Sequence, residues 1–251
     1  MINCYSKPVL LSVFILFGFQ SFAQVTRIDT VKPIKLTYKP SEYESQKQYH
    51  YSIGVKAFSI EEFPKILNQV NSTNYINTAM NGVFLKLNDN QISYRLSGNY
   101  LEKNITFRNK CEDCEKAYGK LKDFSAKIGF EKNFNYAVLQ PYFAFDFGYR
   151  RNSFDGDVEN ATALNFTTPY EVKTLKNGFL MSPNLGVKIN LLSRVTLVAE
   201  TGMGLLYSYE KQEKIFKDVN RTRSVNTYNK WEFLLTPVSM LGIQVNLSLA
   251  D

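Results

Sequence analysis

Three cysteines, one histidine and one tryptophan are spread over 251 residues, and their scarcity closes off most metal and nucleophile chemistry. The only histidine, His50, has no catalytic partner in its segment, and a lone polar residue at the start of a strand needs no role. Cys111-Glu112-Asp113-Cys114 has neither a second CxxC nor a neighbouring histidine, so a zinc site lacks its ligands. A redox reading of that motif would need a thioredoxin-like βαβ pattern, which is missing. No glycine-rich loop of the kind that cradles phosphate occurs. Beyond the first two dozen residues, no apolar run reaches the ~20 residues of a membrane-crossing helix. If the mature chain resides in a membrane, it must do so as a closed barrel, the other structure that satisfies every backbone group in lipid.

What is abundant points to strands. Aromatic residues make up 14% of the chain, almost all Tyr and Phe, a composition suited to sheets. The length fits one domain, or one with a tail. Lys7 precedes an apolar core from Val9 to Phe19, broken by Ser12 and Gly18, and Ser21-Phe22-Ala23 supplies small residues before a cleavage point. This reads as a signal peptide over 1–23, with Gln24 as the mature start; the alternative is an uncleaved anchor. Cys4 lies ahead of the apolar core and leaves with it. Residues 24–48 are polar, contain Pro33 and Pro40, and read as an extended lead-in.

From Tyr49 to the end, eight segments alternate apolar and non-apolar residues with period two, the pattern of strands with two different faces. They are expected near 49–58, 82–88, 91–107, 118–132, 137–152, 179–191, 194–210 and 231–249. One face carries Tyr51, Ile53, Val55 and Ala57 in the first, and Phe143, Phe145 and Phe147 in the fifth. Short connections (Asn88-Asp89-Asn90, Asn133 to Tyr136, Leu192-Ser193) alternate with long polar ones, at about 59–81, 108–117, 153–178 and 211–230. Outer-membrane barrels have short turns on one side and long loops on the other.

The face opposite the apolar one is small: Gly54, Gly129, Gly148, Gly186, Gly202, Gly204 and Gly242, with Ser52, Ser93, Ser97, Ala144 and Ser248. Glycine weakens strands, but the interior of an eight-stranded barrel leaves side chains little room. The same face holds Lys56, Arg95, Lys127, Glu131, Asp146, Lys188 and Glu200. Enclosed charges must pair, so these residues are candidates for an interior charge network; the alternative is an ordinary solvated strand face. Aromatics gather toward strand ends (Tyr100, Phe107, Phe134, Tyr136, Tyr149, Phe154, Tyr207, Tyr209, Trp231, Phe233), as headgroup-level girdles do. Pro141, Pro183 and Pro237 are expected near strand ends, where proline is tolerated.

Over residues 49–251 this pattern resembles the small eight-stranded outer-membrane barrels of the OmpA and OmpX type and the wider outer membrane protein beta-barrel domain group. The likeness is one of pattern, without a diagnostic motif. The chain departs from many such proteins in ending Leu247-Ser248-Leu249-Ala250-Asp251 rather than on an aromatic residue. The resemblance implies an all-β, up-and-down antiparallel transmembrane barrel in the outer membrane, monomeric and non-enzymatic. Its four surface loops would serve adhesion, recognition or envelope integrity. Outer-membrane lipid, lipopolysaccharide and the barrel assembly machinery are the implied partners. The signal peptide disfavours nucleic acid, and no cofactor is implied.

Two other readings stay open on the sequence: a soluble lipocalin-like carrier with the apolar face turned inward, and a small porin-like channel. Cys111 and Cys114 are expected to form a local disulfide in an oxidising compartment. Asp155-Gly156-Asp157 with Glu159 lacks the spacing of a calcium loop and reads as a solvated turn. The basic run Lys211, Lys214, Lys217, Arg221, Arg223 and Lys230 fits either contact with lipopolysaccharide phosphates or a solvated loop.

Overall fold

A computed structural model of the chain describes residues 49–67, 75–89, 92–109, 115–135, 138–160 and 168–247. The signal and lead-in segments, Cys111, Cys114, Tyr136 and Ser248 lie outside the described residues. The strands are β1 (Tyr51–Glu62), β2 (Tyr75–Asp89), β3 (Ile92–Asn109), β4 (Glu115–Asn133), β5 (Leu139–Asn160), β6 (Tyr170–Asn190), β7 (Val195–Phe216) and β8 (Arg223–Leu247). Each pairs antiparallel with its sequence neighbours, and β1 pairs with β8, so the eight strands form a closed up-and-down ring. Closure leaves the lower wall without a free edge, the feature that lets a sheet stand in lipid.

The strands are staggered. Following partners from Ser52 through Lys86, Arg95, Gly129 and Asp146 leads to Ser182 on β6, and its neighbour Met181 leads on through Leu205 to Phe233. Ser52's own partner on β8 is Asn246. That offset after one circuit is the shear that accompanies strand tilt in a closed barrel.

Period-two alternation persists along each strand, but its polarity inverts part-way up. In the lower part the exterior is apolar: Ile92, Tyr94, Leu96 and Tyr100 on β3, Phe124, Ile128 and Phe130 on β4, Phe179, Met181, Leu185 and Ile189 on β6 all stand exposed. The interior beside them is mostly polar or small, with two apolar clusters around Phe84 and Tyr142 and around Leu180, Leu206 and Leu234. Above Tyr100, Phe124, Tyr149 and Tyr209 the next outward residues are Glu102, Lys122, Arg151 and Lys211. There the interior becomes apolar, with Phe107, Ala117, Leu121, Phe154, Val158, Tyr170 and Val172 buried as one cluster. The lower part is thus arranged for an apolar surrounding and the upper part for water.

That inversion explains most departures from the expected boundaries. β2, β5, β6, β7 and β8 run well into 59–81, 153–178 and 211–230, because charged outward positions in the upper wall belong to strands rather than loops. Asp155, Gly156 and Asp157 are β5 residues, paired with β4 and β6, not a turn. Phe107 and Phe154 face inward, rings 5.3 Å apart, and are no part of an exterior girdle.

A bulge at Ala57 shifts the register of β1 against both neighbours. Lys56 and Ser59 therefore both face the interior, and Ala57 drops out of the exterior stripe assigned to it; one extra residue in a strand does this. Pro183 lies within β6 rather than near its end. Its position coincides with an interruption of the β6–β7 ladder between Met181 and Asn184, where no N–H is required of it.

Candidate functional site

The lumen collects polar side chains from most strands because their inward positions alternate with the belt. Gly54 and Gly186 sit opposite Phe84 and Tyr142 in the ladders. A β-carbon at Gly54 would collide with the Phe84 ring, and one at Gly186 with the Tyr142 ring. The missing side chains are the space into which two aromatic rings fold across the lumen floor, where both are buried.

On these rings rests the central ion cluster. Arg95 donates from Nε to Asp146 Oδ1 at 2.6 Å and makes a second bond to the same carboxylate, forming a bidentate fork. Its Nη1 lies 2.5 Å from Glu200 Oε1 and 3.7 Å from Glu131 Oε2. Glu131 also takes Lys86, at 2.7 Å, and Lys188. Tyr142 donates its hydroxyl to Glu200 at 2.5 Å, and Lys188 reaches Asn133 Oδ1 at 3.0 Å. Lys86 and Lys188 stand 5.5 and 5.1 Å from the Tyr142 ring centre, within cation–π range. Three cations and three carboxylates balance, as enclosure demands.

Of the residues singled out in the sequence, Arg95, Glu131, Asp146, Lys188 and Glu200 come together here. Lys56 pairs instead with Glu61, just beyond the β1 bulge. Lys127 lines a cavity of about 30 Å³ beside the cluster, along with Lys56, Arg95 and Glu200. Sequence reasoning missed Lys86, Asp123, Arg150 and Tyr142, although all four share parity with the small face. Arg150 grips Asp123 through Nε and Nη2, each at 3.0 Å.

Higher in the lumen the chain after β1 turns inward. Phe63, Ile66 and Leu67 are buried in the upper apolar cluster. Lys176 Nζ donates to the Lys65 carbonyl and to Glu232 Oε2, both at 2.6 Å, while the Lys65 N–H donates to Glu232 Oε1 at 2.9 Å. The segment 63–67 is thus clamped over the ion cluster as a stopper.

The remaining candidates fall elsewhere. His50 lies just before β1, its carbonyl accepting the Asn88 N–H at 2.8 Å. Within the basic run, Lys217 pairs with Asp157 at 2.7 Å, Arg223 with Glu213 at 2.8 Å and Lys230 with Glu210 at 2.9 Å. Lys214 lies 4.9 Å from the Tyr170 ring centre. Every carboxylate of the central cluster is engaged by a cation, so the arrangement is a set of ion pairs rather than an acid–base pair open to substrate.

Fold and lumen together define an up-and-down antiparallel barrel with a charged interior and an apolar exterior belt. No protein-family model matches the chain, and no curated protein matches it. Among solved structures it is similar to the crystal structure of a major outer membrane protein from Thermus thermophilus, at 10% identity and a TM-score of 0.47, over 78% of this chain and 99% of that chain.

Proposed function

We propose that the chain is a non-enzymatic barrel of the outer membrane, anchored by its exterior belt and presenting the upper ends of its strands at the cell surface for adhesion, recognition or envelope integrity. The observation that carries this reading is the belt: apolar side chains stand exposed around the lower wall and give way to charges just above Tyr100, Phe124 and Tyr149. An apolar surface of that extent is not stable in water and marks a membrane or a partner. Tyr207 and Trp231, rings 4.7 Å apart at the upper margin, fit a headgroup-level girdle.

The carrier reading requires the apolar stripe of the lower wall to face inward around a ligand, yet Ile53, Leu85 and Phe147 point outward. The channel reading requires an open lumen; the ion cluster and the 63–67 segment occupy much of it, which favours the anchor reading. Contacts with lipopolysaccharide and with the assembly machinery belong to the same proposal. Cell fractionation with gel mobility before and after boiling tests it. Recovery with the outer membrane and faster migration of the unboiled protein are expected; a soluble periplasmic protein without that shift would overturn it.

A further inference from the structure

Among the described residues, one lumen cation is left out of the ion clusters. Lys127 projects inward from β4 and makes no ion pair or hydrogen bond among the described residues. The carboxylates that act on it, Glu61 and Asp146, are held by Lys56 and Arg95 respectively. The cavity at its side is lined by four cations, Lys56, Lys86, Arg95 and Lys127, against two carboxylates, Asp146 and Glu200. Lys127 shares its nearest carboxylates with other cations and is only partly neutralised, and a void lined by more cations than carboxylates favours an anion. The void, about 30 Å³, exceeds the ~10–15 Å³ that one enclosed water needs. That leaves room for a monatomic ion of halide size.

Access is provided by the wall. β2 and β3 pair only from Gly82↔Asn99 down to Asp89↔Ile92, while both strands continue upward unpaired with each other. The cavity touches that last rung at Asn99 and the two rungs below it at Val83 and Ser97, so it lies at the foot of a seam.

We infer that the cavity beside Lys127 is a binding site for a small monovalent anion of the halide class, which completes the charge balance of the lumen. The site depends on the lumen alone and not on where the barrel resides.

The test uses the full mature chain, folded in detergent. Crystals grown in bromide are expected to give an anomalous peak against Lys127 Nζ in the unmodified protein, and the unfolding midpoint is expected to rise and saturate with chloride but not with gluconate at equal ionic strength. In Lys127→Met, which keeps the side-chain length and removes the charge, both effects should vanish. A water in the cavity with no bromide signal would overturn the inference. So would a bromide peak without a saturable chloride effect in the unmodified protein, which would mean an adventitious ion only.

Discussion

Gly54 faces Phe84 across the β1–β2 ladder, and the aromatic ring occupies the volume that a side chain on Gly54 would take. Gly54→Ala therefore forces the buried Phe84 ring out of place. Overpacking of this kind costs about 1–3 kcal/mol, read as a lower urea midpoint for unfolding in micelles. Gly54→Ala combined with Phe84→Ala should cost less than the sum of the two single changes, because the clash disappears with the ring. Strict additivity would mean that the two positions do not share that space.

Among the described residues, Arg95 is the one side chain that touches all three of Asp146, Glu200 and Glu131. Arg95→Met should destabilise the barrel by about 3–5 kcal/mol, since it strands buried carboxylates. Neutralising Asp146 and Glu200 to Asn and Gln in the same variant should restore most of that loss. Equilibrium unfolding of the three proteins checks both statements, and a lack of rescue would mean that Arg95 acts through packing rather than charge.

The stopper at 63–67 is held by charged hydrogen bonds through Glu232 and Lys176. Each such bond contributes about 1.5–3 kcal/mol. Glu232→Ala should therefore raise the open population of the segment roughly tenfold or more, with the barrel wall intact. Tryptic cleavage after Lys65 in the folded protein reports that opening. An unchanged cleavage rate would mean that burial of Phe63, Ile66 and Leu67 alone holds the segment.

In the β7–β8 turn, Asp218 accepts the Thr222 N–H at 2.9 Å and the Thr222 hydroxyl at 2.8 Å. The backbone bond from Thr222 is the main reason its carboxyl sits below the usual carboxylate range. A depressed folded value means the cap is fully formed above the unfolded carboxylate value and is lost as pH falls through the lower folded one. Protection of the Thr222 amide, its exchange rate relative to the intrinsic rate at the same pH, should fall on acidification along that course, and Asp218→Asn should abolish the dependence.

The lower barrel was legible in the sequence because most exterior positions there are apolar and most interior ones small or polar, with Phe84 and Tyr142 among the exceptions. Ile92, Tyr94 and Leu96 against Ser93, Arg95 and Ser97 separate the two faces of β3, and the structure turns the second set inward. The upper wall was not legible, for a physical reason. Phe154, Val158 and Val172 keep the alternation but place it on the opposite face, so charged outward neighbours such as Asp155 and Lys173 read as loop. The Ala57 bulge flips parity within a single strand, which a fixed period cannot register. Lys86, Asp123 and Arg150 carried a usable signal, since each shares parity with the small face of its own strand. The inward course of 63–67 carried none, because its apolar residues show no period.

Whether the exterior belt lies in lipid can be read from a built-in reporter, the chain's only tryptophan. Trp231 is on the outer face of β8 at the upper margin of the belt, 66% exposed. The most direct measurement is its fluorescence after folding into vesicles whose acyl chains are brominated at a shallow or a deep position. A blue-shifted emission, quenched most strongly by bromine near the headgroups, is the predicted result. Emission typical of water, with no quenching from either position, would contradict a belt embedded in lipid.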